Sequence, residues 1–278
     1  MSRGEAEKTV PGVDATPEKE QSTGQKLFEQ VSTLALAVLI AVGIRTFVIE
    51  PFRIPSGSML PTLLIGDHLF VNKFVFGARL PFTDVRLPAL REPQRGDVVV
   101  FQVARGRSAN GTGGIIPADR RPDLPRDDFV KRIVGLPGDR LEVRDGRVYI
   151  NHELIQMVDL KRNFSDEHGR SLGVQNELLG DCLHEVLDDP RQKGPTQTPR
   201  VIEEGRYFLM GDNRDYSNDS RTWGTVRFNE LKGPAFVLYW SWDVNGSFLE
   251  FLNPINWWSA EKRWGRVFQR VRCRTTTS

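Results

Sequence analysis

The stretch "LEVRDGRVYIN" (Leu141–Asn151) alternates apolar and polar residues on both sides of Asp145-Gly146. That period belongs to a half-buried strand, and an Asp-Gly pair readily supplies the left-handed residues of a two-residue turn. The spacing predicts a β-hairpin. Working outward, "RGDVVVFQV" (Arg95–Val103) is an apolar run opened by a turn, which reads as a buried strand. "RYFLMGD" (Arg206–Asp212) and "GPAFVLYWSWD" (Gly233–Asp243) read as two more. Few segments between them sustain a helical period. The expected fold class is mostly β, an antiparallel folded-over sheet or barrel-like domain.

Two stretches interrupt this pattern. Residues 104–128 are rich in Arg, Gly, Asp and Pro and read as a long surface loop within the first part of the core, 50–151. Residues 152–205 are polar with weak periodicity and read as a subdomain inserted before the core resumes over 206–252. No internal repeat is visible.

Ahead of the β region stands "VSTLALAVLIAVGIRTFVIEPF" (Val31–Phe52), in which nearly every residue up to Ile49 is apolar or small. At about 1.5 Å per helical residue this run covers the hydrocarbon core of a bilayer. We expect a transmembrane helix over 27–49, with Arg45 snorkelling near its far end. A buried core helix is the plain alternative. A signal peptide would have a shorter apolar core, nearer the start, with an A-x-A-like exit. Residues 1–26 carry almost no large apolar side chains and are expected to be a disordered tail. Cations flank the apolar run on both sides, so charge alone does not orient it.

Composition excludes several classes. The 278 residues are 39% hydrophobic and 27% charged, ordinary for a chain with a packed core. A net charge of +2 argues against bulk nucleic-acid binding. The four histidines, His68, His152, His168 and His184, form no ligand pair at helical or hairpin spacing, so no metal site is expected. "DNRDYSNDS" (Asp212–Ser220) lacks the glycine and terminal glutamate of a calcium loop. Cys182 and Cys273 match no zinc or redox spacing, and a disulfide between them is left open.

The chemistry begins just past the apolar run, at "IPSGSMLPTL" (Ile54–Leu63). Pro55 and Pro61 restrict φ on either side of the serines, and Gly57 permits close backbone approach. Such a turn can aim one hydroxyl while a second hydroxyl and a backbone N–H converge on an oxyanion. A proline-rich turn with serine as filler is the plain alternative. A serine needs a base to become a good nucleophile. No histidine has a convincing setting. A lysine serves if burial keeps its amine neutral. Lys73 in "LFVNKFVFG" and Lys131 in "DDFVKRIVGLPGD" both sit in apolar strands, and composition does not choose between them.

Five segments in order, "PFRIPSGSMLPTL", "GDHLFVNKFVFG", "RGDVVVF", "FVKRIVGLPGD" and "MGDNRDYSNDSRTWG", resemble bacterial type I signal peptidase, a membrane-bound Ser–Lys endopeptidase. They run from Pro51 to Gly224. The resemblance implies Ser58 as nucleophile and Lys131 as general base, and leaves Lys73 in a motif that supports the fold. It implies the Ser56 hydroxyl and the Ser58 N–H as the oxyanion hole, and Ser217 as the residue that orients the lysine. Asp219 and Arg221 would form a supporting ion pair, whose plain alternative is a weak surface salt bridge. Phe52, Ile54 and Val130 would line shallow substrate pockets.

The same resemblance implies removal of signal peptides from exported preproteins with A-x-A-like cleavage sites, without metal or organic cofactor. Membrane lipids and preproteins are then the partners, nucleic acid is not, and the chain acts as a monomer. It would be a single-pass protein of the inner membrane, tail in the cytoplasm and catalytic domain outside. A dedicated conjugation-type or single-substrate Ser–Lys peptidase is the alternative. Self-cleaving repressors with a similar dyad would need a helix-turn-helix, and none is visible.

The C-terminal segment, 253–278, is basic and amphipathic. In "NWWSAEKRWGRVFQRVR", Trp257, Trp258, Trp264, Phe268 and Val271 share a face at helical spacing, with Lys262, Arg263, Arg266, Arg270 and Arg272 mostly elsewhere. This predicts an interfacial helix on the membrane, or a helix capping the β core.

Overall fold

Asp145 and Gly146 take φ of 51° and 73°, the left-handed pair that a tight hairpin turn needs. They join two short antiparallel strands in register Leu141↔Ile150 and Val143↔Val148. All four of these apolar residues are buried. The hairpin belongs to a computed structural model that describes residues 23–79, 83, 85–107, 113–116, 126–243 and 261–275.

The chain divides into two compact units, Met1–Gly43 and Ile44–Ser278. Helix α1 (Thr23–Phe47) fills the described part of the first and ends in the second. Its stretch Leu27–Phe47 has a mean hydropathy of 2.0 and no buried residue within its most apolar window. Among the described residues it is long and apolar enough to cross a bilayer. Most of the tail expected to be disordered lies outside the described residues. Its last four residues, 23–26, instead form the first turn of α1.

The second unit opens with strands β1 (Ile49–Arg53), β2 (Asp67–Asn72), β3 (Val98–Arg107), β4 (Gly113–Ile116) and β5 (Arg126–Gly135). The Asp-Gly hairpin is β6 (Arg140–Arg144) and β7 (Arg147–Ile150), followed by β8 (Glu153–Leu154), β9 (Gln156–Ser165), β10 (Ser171–Leu179), β11 (Cys182–Asp188) and β12 (Gln197–Val201). Then come β13 (Arg206–Met210), the single turn α2 (Ser220–Trp223), β14 (Val226–Arg227), β15 (Leu231–Asp243), β16 (Glu261–Lys262) and β17 (Arg274–Thr275).

The main sheet runs β1-β2-β15-β3-β5-β13-β14, with β4 added to β3 and β16 to β15. Two smaller sheets run β17-β11-β10-β9 and β12-β6-β7-β8. All ladders among the described strands of these sheets are antiparallel. The run Val98–Phe101 is apolar throughout because both faces of β3 are covered. Val98 and Val100 enter a cluster with Ile54, Met59, Leu63 and Val71. Val99 and Phe101 enter another with Ile133, Tyr207 and Leu209. In β13, Phe208 and Met210 join Val134, Leu141 and Val148 in a third cluster. Each large apolar side chain so buried contributes about 2–3 kcal/mol.

Three expectations are corrected here. Residues 104–128 are not all loop: β3 runs on to Arg107, β4 pairs with it in register Ala104↔Ile116, and β5 begins at Arg126. Backbone pairing builds this extension, and composition does not record backbone pairing. The insertion 152–205 contains a β-sheet, with Leu172, Val174 and Leu187 buried against Leu60. Its periodicity looked weak because the cross-strand pair Glu177↔His184 puts charge on buried positions, and a bulge breaks β10 between Gly173 and Gln175.

The third correction concerns the C-terminal segment, which is no helix over 261–275. It forms β16, a 3-10 turn Trp264–Arg266, a bridge Val237↔Arg270 and β17. The backbone of β15 captures it: Phe268 N–H donates to Leu238 O at 2.7 Å, and Val271 N–H to Phe236 O at 3.0 Å. Arg266 bonds the buried Asp67 carboxylate. Cys273 is disulfide-bonded to Cys182 in β11. Trp264 and Phe268 remain exposed, while Trp257 and Trp258 lie outside the described residues.

Candidate active site

The turn Gly57–Met59 is a single 3-10 turn after β1. Gly57 and Met59 are buried on either side of the half-buried Ser58, which anchors it within the turn. Lys131 lies in β5, laddered to β3 in register Val99↔Lys131. Its Nζ stands 2.6 Å from Ser58 Oγ and 3.0 Å from Val130 O. Lys131 is only 3% exposed. Burial pushes its amine down to about 8, while the Asp219 and Asp212 carboxylates pull it up and Arg221 pushes it down. A neutral amine at hydrogen-bond distance from a hydroxyl can take its proton. Lys73, the other candidate, pairs with Glu50 at 3.3 Å, at the start of the turn after β2.

Ser56 is exposed, with extended backbone, and its side chain makes no capping hydrogen bond. Phe52, Ile54 and Val130 meet in one apolar cluster beside the dyad, Ile54 buried and the others half-buried. Asp219 and Arg221 do form an ion pair, but a buried bidentate one at 2.7–2.8 Å, not a surface bridge. Asp219 also accepts from Gly211 N–H, and Arg221 donates to Arg214 O. Ser217 is buried nearby, yet its hydroxyl has no hydrogen-bond partner among the described residues. The expected Ser217–Lys131 hydrogen bond is therefore absent from this structure; the bonds of Lys131 Nζ go to Ser58 Oγ and Val130 O.

Sequence reading missed several supporting groups. Arg132 and Asp212 form a buried bidentate pair at 2.6–2.8 Å, and Thr62 Oγ1 donates to the same carboxylate. Arg214 pairs with Glu177, which also faces His184 at 3.2 Å. Burial lowers the His184 pKa, and the Arg132 charge adds to that. Arg132 and Asp212 lie inside the segments "FVKRIVGLPGD" and "MGDNRDYSNDSRTWG", which is the signal that could have flagged them.

Asn213 has a more direct relation to the serine. Its Nδ2 donates to Gly57 O at 3.1 Å, and its backbone N–H donates to Ser58 O at 3.2 Å. In a trans peptide the C=O and N–H point opposite ways. Holding Gly57 O from one side therefore turns the Ser58 N–H toward the other.

The family model described as "Signal peptidase, peptidase S26" matches residues 27–240. A signal peptidase I of Pseudomonas aeruginosa is 37% identical over 219 residues, covering 74% of this chain and 69% of that one. One from Buchnera aphidicola subsp. Acyrthosiphon pisum is 31% identical over 250 residues, covering 76% and 73%. One from Rickettsia felis is 28% identical over 281 residues, covering 92% and 97%. With an apolar helix long enough to anchor it, a mostly antiparallel β unit and these relatives, the chain belongs to the signal peptidase family, peptidase S26.

Proposed function

We propose that this membrane-anchored signal peptidase cuts preproteins with Ser58 as nucleophile and Lys131 as general base. The observation that carries the reading is the 2.6 Å approach of a buried amine to a half-buried hydroxyl. Neutral Lys131 takes the hydroxyl proton as Ser58 Oγ attacks the scissile carbonyl. The oxyanion accepts from the Ser58 N–H and the Ser56 hydroxyl. Protonated Lys131 then gives its proton to the leaving amine, and an acyl-enzyme remains on Ser58. Water hydrolyses it, with Lys131 again as base. The Asp219–Arg221 and Arg132–Asp212 pairs hold the β5 and Gly211–Arg221 segments around the amine. Buried as pairs, their charges also largely cancel.

The substrate lies extended, as an added strand beside the turn. Phe52, Ile54 and Val130 leave only shallow apolar space, which favours small side chains at the first and third positions before the cut, as in A-x-A. A monomer holds every group the reaction needs. Lipid is the partner of α1, whose apolar side chains are exposed along the run. We place α1 in the inner membrane with the tail cytoplasmic and the β unit outside, where signal peptides emerge. Protease added to sealed spheroplasts should then destroy the β unit; a protected β unit would reverse the orientation.

Preprotein cleavage by wild type, Ser58→Ala, Lys131→Ala, Lys131→Arg and Lys73→Ala tests the roles. The Ser58 and both Lys131 variants should lose activity by at least about 1000-fold while staying folded, since arginine cannot shed its charge. Retained cleavage in Lys131→Ala beside loss in Lys73→Ala would move the base to Lys73. The relatives that match are signal peptidases, which favours general preprotein processing over a dedicated single-substrate enzyme.

A further inference from the structure

The β9–β10 hairpin of the insertion reaches the nucleophile turn. A Cβ built on Gly57 would stand 2.5 Å from Glu167 Oε1 and 2.8 Å from Oε2. The Glu167 carboxylate therefore rests on the bare face of Gly57, one residue from Ser58. Local bonds hold the hairpin tip on either side of Glu167. Asp166 accepts from the His168 and Arg170 backbone N–H groups at 3.0 and 2.8 Å, and from Arg170 Nε. The Arg170 guanidinium stacks 3.6 Å over the Tyr216 ring. Below the hairpin, Leu172 and Val174 pack with Leu60, two residues after the nucleophile.

Glu167 has little to offset its charge within the chain. Among the described residues no lysine or arginine lies within ion-pair distance of it; His168 Nδ1 stands 3.7 Å away, and the Arg170 charge acts on it only at longer range. Arg170 is already engaged by Asp166. Glu167 is exposed, its side chain 34% accessible, so its field is weakened by solvent and salt and acts only on groups close by. A carboxylate beside the site where an oxyanion forms disfavours that oxyanion unless a cation intervenes.

We propose that Glu167 is a specificity-determining residue that selects preproteins by the charge near the scissile bond. A lysine or arginine of the bound peptide pairs with Glu167 and offsets its effect on the oxyanion; an acidic residue there adds to the repulsion. An extended peptide advances about 3.3 Å per residue, so the charge that matters lies within about three residues of the cut. This deepens the Ser58 reading and rests on it.

The test uses the full chain in neutral detergent and peptides spanning a cleavage site. Lysine or glutamate is placed singly at the second position before the cut and at each of the first three after it. The readout is the kcat/KM ratio, lysine over glutamate, so each enzyme form is its own control for folding. At one or more positions the wild type should prefer lysine about five- to tenfold. Glu167→Gln should bring that ratio near one, and Glu167→Lys should invert it. A ratio unchanged at every position in Glu167→Gln, or no wild-type preference anywhere, overturns the proposal. Ser58→Ala run alongside separates the two ideas: an active Ser58→Ala sinks the catalytic reading, whereas an inactive one with a charge-blind Glu167 position sinks only this inference.

Discussion

Asn213 shows how much of this site depends on single side chains that do no chemistry. It grips Gly57 O and Ser58 O together, and so fixes the peptide whose N–H is assigned to the oxyanion. Asn213→Ala should lower kcat by about 10- to 100-fold, the range expected when an oxyanion donor is misaimed, with KM changed by less than about threefold. Asn213→Asp keeps the shape but cannot donate to Gly57 O from its side chain, and should fail similarly. A fall in thermal stability with kcat intact would assign Asn213 to folding alone. None of this was legible beforehand, because Asn213 and Gly57 are 156 residues apart. Glu167 was missed for the same reason. The close approach of Ser58 and Lys131, and the roles proposed for them, were reached from the sequence only through a resemblance: local pattern left Lys73 and Lys131 equal, since burial of a lysine is decided by the strands around it.

At the scale of elements, legibility followed the source of the stabilisation. Where side chains face a core on one side, alternation reported it, as in β6 and β7. Where both faces are covered, the continuous run Val98–Phe101 reported it equally well. Where backbone pairing does the holding, the pattern was silent or misleading. The β3–β4 extension read as loop, and 261–275 read as helix. In the latter case β15 offers Phe236 and Leu238 carbonyls that β3 does not use, because β3 pairs only with Leu231–Pro234. Those acceptors, with the Arg266–Asp67 pair and the Cys182–Cys273 bridge, outweigh a helical period that would satisfy only local bonds. The insertion read as polar in part because Glu177 and His184 are buried there, Glu177 paired with Arg214 from the core. Such pairs contribute little net stability but are costly to break.

Over the whole molecule, the apolar helix, the mostly antiparallel β unit and the relatives describe one membrane-anchored peptidase. The chemistry proposed for it depends on a lysine whose neutral form is made more accessible by burial. Lys131 titrates near 8, below the usual lysine range, because desolvation outweighs the Asp219 and Asp212 carboxylates. The active form of a base is the deprotonated one. Activity should therefore be limited below that value and lost as pH falls, by about tenfold per pH unit. The most direct measurement is kcat/KM of the full chain across about pH 6 to 10, on an uncharged peptide substrate. The expected result is a log-linear rise of slope one that levels off near pH 8. A profile flat from about pH 6 to 8 would contradict a lysine base.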